Sequence, residues 1–296
     1  MDFERQYRRY QSLVEGWLNE ALPLPDEEWP AEGMPKRLVE AMRYSLLSGG
    51  KRLRPVLLLA AFEPFNGKLE DALPFAGAVE LIHTYSLVHD DLPAMDDDDL
   101  RRGKPTSHRA FGEAMAILAG DAMLTLAFEW MSAGSLPNAL KAIREISRRA
   151  GASGMVAGQT ADILMGGQPA DDNMLRYIHQ HKTADLITAP LVAGVLLGGA
   201  DAHAEDAAAA YGTHLGLAFQ ITDDLLDARG NPELTGKAGQ RDAAMGKLTW
   251  PAVVGLEQAE RDARDSARQA ADLSDAFGRN AGFFRSLALS IPERVK

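Results

Sequence analysis

Apolar residues recur at three- and four-residue spacing along nearly the whole chain. RLVEAMRYSLL, ALPFAGAVELIHTYSLV, AFGEAMAILAGDAMLTLAFEWM and AAAAYGTHLGLAFQITDDLLD all carry this pattern, which is that of helices with a buried face. Alanine, leucine and methionine fill them, and these are strong helix formers. Runs of alternating β-branched residues bounded by turns do not stand out. Turn-like punctuation falls at LPLPDEEWP, EPFNGK, GGQPADD and DARGNPELTGKAGQ. Pro35, Pro55 and Pro137 are placed to start helices. No linker, composition shift or fixed repeat divides the chain. The pattern predicts an all-α protein of roughly ten helices in one domain over 1–296.

Composition narrows what such a bundle does. The chain has 296 residues, 46% of them hydrophobic, enough for a large core. Its formal charge of −11 argues against a nucleic-acid partner, because phosphate backbones recruit Lys and Arg surfaces. It contains no cysteine, so disulfide and thiolate chemistry are out. The start, MDFERQYRRYQSLVEGW, lacks the apolar core of a signal peptide. PLVAGVLLGGA is too short to span a bilayer, which takes about 20 apolar residues. A cytoplasmic protein without stable membrane insertion is the expectation.

Against that background two aspartate clusters stand out. In LVHDDLPAMDDDDLRRGKPTSH, Asp90, Asp91, Asp96, Asp97, Asp98 and Asp99 crowd the end of an apolar helix. Such a run is usually a solvated loop. Here Pro93 must break or kink the helix near Leu92. The break lets Asp96 fold back towards Asp90, with Arg101, Arg102 and Lys104 following at once. In FQITDDLLDA, Asp223 and Asp227 lie one turn apart on one helical face, flanked by Asp224 and Gln220. This element also ends an apolar segment. Two facing carboxylate clusters of this kind suit hard divalent cations, and Mg²⁺ binds one or two carboxylates plus substrate phosphates. GGKRLRP adds glycines and the charges of Lys51, Arg52 and Arg54 at a helix start. Lys182 and Thr183 in HKT, then Lys237 and Lys247, are further candidates, each by itself readable as an ordinary surface residue. By default His83 and Gln159 read as satisfied core polar groups.

Taken together, GGKRLRP, HTYSLVHDDLPAMDDDDLRRGKPT, GMVAGQTADI, HKT, FQITDDLLD and GKLTWP, in that order, resemble the trans-isoprenyl diphosphate synthases, most closely the bacterial enzymes that make farnesyl diphosphate. The resemblance covers nearly the whole chain. It implies a single-domain isoprenoid-synthase fold around a deep central cavity, a homodimer, and Mg²⁺ as cofactor, with three ions per site. By the family's pattern Asp90 and Asp96 would ligate two ions and Asp223 a third, with Asp91, Asp224 and Asp227 supporting. Lys51, Arg54, His83 and Arg102 would bind isopentenyl diphosphate. Arg101, Lys182, Lys237 and Lys247 would face the allylic diphosphate. Thr183 and Gln220 would lie beside the carbocation. Tyr85, with Ser86 next to it, would floor the cavity and stop growth at fifteen carbons.

The chain departs from the family's habits at Ala184, Thr222, Leu248 and Trp250. Pro292 interrupts a C-terminal segment that the family keeps helical. Rival readings are a geranyl or geranylgeranyl diphosphate synthase, a terpene cyclase, a non-catalytic partner subunit, and an acidic helical scaffold. Cyclases usually carry a different second metal motif and do not need the basic site around Lys51. Partner subunits tend to lose an aspartate motif, and both are intact here. A scaffold leaves the ordered basic motifs unexplained.

Overall fold

Helices that lack a polar face must be surrounded, and three of them define the centre of the molecule. The computed structural model describes residues 2–65, 68–168, 171–230 and 247–295. α1 (Phe3–Ala21) and α2 (Lys36–Leu46) are amphipathic and lie outside. α3 (Leu53–Phe62), α4 (Leu69–Asp90) and, further on, α10 (Asp185–Gly198) are apolar almost all round and are buried on nearly every side. α4 packs on α3 and on α6 (Glu113–Ser132). α10 packs on α3, α7 (Ala139–Ala150) and α11 (Ala202–Ala228), and α11 packs on α13 (Leu256–Asp272). The short α5 (Ser107–Phe111), α8 (Met155–Met165), α9 (Asp172–Ile178), α12 (Trp250–Val254) and α14 (Ala281–Ser290) complete the helices. Asp171 and Asp201 cap α9 and α11 by accepting from backbone N–H groups. Among the described residues the only β structure is a two-residue antiparallel pair, Leu100–Arg101 with Lys104–Pro105.

The helices are more broken than their periodicity predicts. AFGEAMAILAGDAMLTLAFEWM reads as one helix, but Gly112 adopts φ +89° and separates α5 from α6. Gly255 at φ +83° divides α12 from α13 in the same way. Between α9 and α10 the chain winds wider, as a single stretch of π-helix over His179–Ala184. α6 is long and apolar enough to cross a membrane by length and composition alone, a test that core helices of globular proteins also pass, and 33% of its most apolar stretch is buried. It packs on α4 and also on α2, α5 and α7, while Ile117 and Leu118 on its outer side are exposed.

Candidate active site

The first aspartate motif forms where α4 ends. The chain reverses after Asp91, and the Asp96 N–H donates to the Asp90 carbonyl at 2.9 Å. The Asp98 N–H donates to the Asp91 carbonyl at 3.2 Å. Asp90 and Asp96, six residues apart, are thereby neighbours. Asp90 accepts from the Gln159 side-chain amide on α8. Burial pushes its carboxyl above the ordinary carboxylate range, against the pull of Lys182. Asp96 accepts from Lys247 Nζ at 2.8 Å. Asp91 faces inward instead. It is buried and clamped by Arg101, whose Nε lies 2.8 Å from both carboxylate oxygens. Arg101, expected at the allylic diphosphate, therefore stands first as the anchor of this turn. Asp99 reaches Arg109 at the surface.

The second motif divides similarly. Asp223 and Asp227 on α11 are half-buried. Burial pushes the Asp223 carboxyl up to about 6, the Asp224 charge adds to the rise, and Arg294 and Lys51 oppose it. Arg294 Nη1 lies 3.2 Å from Asp223 Oδ1, because Pro292 opens a 3₁₀ turn (Pro292–Val295) beyond α14. Asp224, expected to support metal, is turned into the protein. It is buried and accepts from His179 Nε2 at 2.9 Å, the Trp250 N–H at 2.8 Å and Gln220 Nε2 at 2.8 Å.

Residues 247–250 tie the two motifs together, with Lys247 on Asp96 and the Trp250 N–H on Asp224. Four residues span at most about 14 Å, so both motifs flank one mouth. Below the mouth lies a cavity of ≈ 360 Å³. Asp90, Lys182 and Thr183 stand at its polar end, with Arg54 and His83 in its wall; Tyr85, Val156, Ile163 and Leu186 supply apolar surface. Ser86 also lines it.

One side of this space is crowded with positive charge. Arg54 is held down to about 10 by burial, and its Nε finds no partner among the described residues. His83 is pushed well below its ordinary value by burial and by Arg54, Arg102, Arg101 and Arg52 around it. Lys51 lies in the field of Arg294 and Asp223. Arg102 donates to Ser48 and to the Gly49 carbonyl. Like charges gathered this way repel one another, and an anion among them would relieve that cost. Arg52, expected to add to them, faces elsewhere: at φ +52° it turns into the core and pairs with Glu80 at 2.7 Å. Lys237 lies outside the described residues.

Sequence reasoning missed several contributors. Asp162 accepts from Lys182 Nζ at 2.6 Å. Gln159, taken as a core polar group, lines the cavity, as does His83, which the resemblance had placed at the isopentenyl diphosphate. His179 joins α9 to Asp224. A signal existed for Asp162, which follows Gly158 by one helical turn. Gly158 faces the π-helix so closely that an added Cβ would sit 2.1 Å from the Lys182 nitrogen.

A model of polyprenyl synthetases matches residues 35–278. The chain belongs to the polyprenyl synthetase family. Prenyl transfer is therefore its class of reaction. It is 48% identical over 231 residues to the farnesyl diphosphate synthase of Geobacillus stearothermophilus, covering 76% of this chain and 78% of that protein. It is 43% identical over 279 residues to geranylgeranyl pyrophosphate synthase 11, chloroplastic, of Arabidopsis thaliana, covering 92% and 76%. Among solved structures, an FPP/GFPP synthase from Zymomonas mobilis superposes with a TM-score of 0.84 at 37% identity over 98% of both chains. A Helicobacter pylori geranyltransferase complexed with magnesium and isoprenyl diphosphate gives 0.83 at 31% identity, over 97% of this chain and 95% of that one. The expected isoprenoid-synthase fold is the observed one.

Proposed function

We propose that this protein condenses isopentenyl diphosphate with dimethylallyl and then geranyl diphosphate, releasing farnesyl diphosphate. The observation that carries this reading is the joining of two carboxylate motifs over an apolar cavity whose polar end is rich in cations. An anionic head with an apolar tail fits that division.

Asp90, Asp96 and Asp223 would hold Mg²⁺, in three ions by the family's pattern. Their donor set fits: all are hard oxygens, and Asp90 and Asp96 are brought together by the backbone. Among the described residues no three His, Asp or Glu side chains converge into a ready-made cage. That suits a cation that binds few carboxylates and fills its shell from water and substrate phosphate. When bound, Mg²⁺ supplies charge stabilisation of the departing diphosphate. Lys182 and Lys247 add positive charge beside it. Arg54, His83, Lys51 and Arg102 hold the second diphosphate, and the apolar wall keeps water from the cation. The allylic C–O bond breaks, the isopentenyl double bond adds to the cation held next to it, and a proton leaves to the released diphosphate.

Fifteen carbons is favoured because Tyr85, 8% exposed, stands in the cavity wall on α4, five residues before Asp90. A second reading, geranylgeranyl diphosphate synthase, is favoured by relatives such as the Arabidopsis protein, similar over more of the chain. The exposed apolar face of α6 supports a homodimer. The test is incubation with Mg²⁺, labelled isopentenyl diphosphate and dimethylallyl diphosphate, then separation of the dephosphorylated alcohols. A dominant C15 alcohol is expected. A C20 alcohol moves the assignment to the second reading, and no condensation from folded protein overturns both.

A further inference from the structure

The second aspartate of DDLLD has a hydrogen-bond set unlike that of a metal ligand. Asp224 is 3% exposed. Oδ2 accepts from His179 Nε2 and the Trp250 N–H, and Oδ1 accepts from Gln220 Nε2. The third of these bonds has a chemical consequence. A carboxylate only accepts, so it fixes which end of the Gln220 amide faces it: the NH₂. Gln220 Oε1 is then presented to Thr183, whose Oγ1 lies 2.6 Å away and has no choice but to donate. The hydroxyl proton of Thr183 is thus committed sideways to Gln220. The remaining lone pairs of Thr183 are left for the cavity that it lines beside Asp90 and Lys182.

We propose that Asp224 is a positioning residue. It acts through Gln220 to polarise Thr183, so that hydroxyl oxygen lone pairs, not a hydroxyl proton, face the positive charge that develops on the allylic carbon. The inference rests on the prenyl-transfer reading of this site. Reversed, the Gln220 amide would point its oxygen at a buried carboxylate, and Thr183 would be free to aim its proton at the cation. His179 and the Trp250 N–H hold the carboxylate in place. His179 spans from the Leu175 carbonyl at 3.0 Å to Asp224. The indole of Trp250 is fixed in turn by Asp262, 2.8 Å from its Nε1.

The test is a double-mutant cycle of Asp224→Asn with Thr183→Val, which removes the hydroxyl at nearly constant shape. D224N, whose amide oxygen must stay on the Trp250 N–H and whose NH₂ then faces Gln220, should lower kcat about 10²-fold, the scale of one oriented dipole in a dry site. Its Mg²⁺ half-saturation should stay near wild type. The double variant should lie within about threefold of the worse single one, because both break one relay. The Gln220 side-chain amide gives a readout without turnover: its proton facing Asp224 should resonate downfield and exchange slowly, and should shift in D224N. Multiplying losses, or a more than tenfold rise in Mg²⁺ half-saturation in D224N, would overturn the proposal. If D224N does not fold, His179→Gln takes its place in the cycle with the same expectations. Failure of the wild type to condense substrates counts against the reaction, whereas the amide signal judges the relay.

Discussion

Lys182 is held by a single carboxylate on the neighbouring helix. Asp162 Oδ2 lies 2.6 Å from its Nζ, and the Asp162 side chain is only 10% exposed. A charged hydrogen bond of this kind contributes about 1.5–3 kcal/mol, or roughly 10- to 100-fold in rate if it is needed for alignment. Asp162→Asn should therefore cut kcat/KM for the allylic substrate by about 10-fold or more; steady-state kinetics decide it, and an unchanged kcat/KM would detach Asp162 from the site. Tyr85 carries a different test. Tyr85→Ala removes a ring from the cavity wall, and the product should lengthen towards C20 in the same assay. An unchanged product distribution would return Tyr85 to the ordinary core. At this scale the sequence distinguishes residue types but not directions. The pattern of aspartates located the mouth, yet Asp91 and Asp224 point inward, because Arg101, and His179 with Gln220, supply their hydrogen bonds. Arg52 and Arg54, two apart, separate because a left-handed φ at Arg52 aims it at Glu80. Nothing in periodicity forecasts that angle.

The π-helix is the element on which placement depends. It carries His179, Lys182 and Thr183, and it runs against α8 and α11 at distances that only small residues permit. An added Cβ at Gly158 would meet the Lys182 nitrogen at 2.1 Å, and one at Gly216 the Ala184 Cα at 2.4 Å. Helix propensity alone says that Gly158→Ala stabilises α8 by about 1 kcal/mol. The overlap says otherwise, since overpacking costs about 1–3 kcal/mol and here presses on backbone. The second effect wins. G158A should lower the melting temperature and displace Lys182, with up to about 10²-fold lost from kcat, the cost of misplacing a catalytic group by about 1 Å. A melting temperature that rises with activity intact would show that the π-helix is not seated on Gly158. Long apolar helices such as α4 and α11 were legible from spacing, and Pro93 foretold the end of α4. The π-helix was not legible: its residues continue the helical pattern of α9 and α10, and the wider turn is set by what α8 and α11 leave room for.

The surface of the whole molecule carries one feature that a single chain does not use. α6 buries one face against α4, yet Ile117 and Leu118 are 44% and 55% exposed, and Val156 and Ile163 on α8 are 45% and 55% exposed. The last two also line the cavity. Exposed large apolar side chains of this kind suit an interaction site, and the acidic residues Glu113, Asp121 and Glu129 on the exposed side of α6 tell against a lipid contact, where charge is costly. A second copy of the chain is the occupant already proposed. Ile117→Glu with Leu118→Glu puts two more charges on that face without touching the buried side of α6, where Ala116, Ala119 and Met123 pack. Sedimentation equilibrium of the wild type should give about twice the 32.0 kDa chain mass, and the double variant should fall to one chain mass with its helical signal preserved. Because His89, which lines the cavity, meets the Ile117 carbonyl at 3.1 Å, the variant should also lose turnover, through a cavity now open to water on that side. A wild type that sediments as a monomer, or a variant that stays dimeric, would place the subunit contact elsewhere or remove it. A monomeric variant with full activity would mean that one chain closes its own cavity.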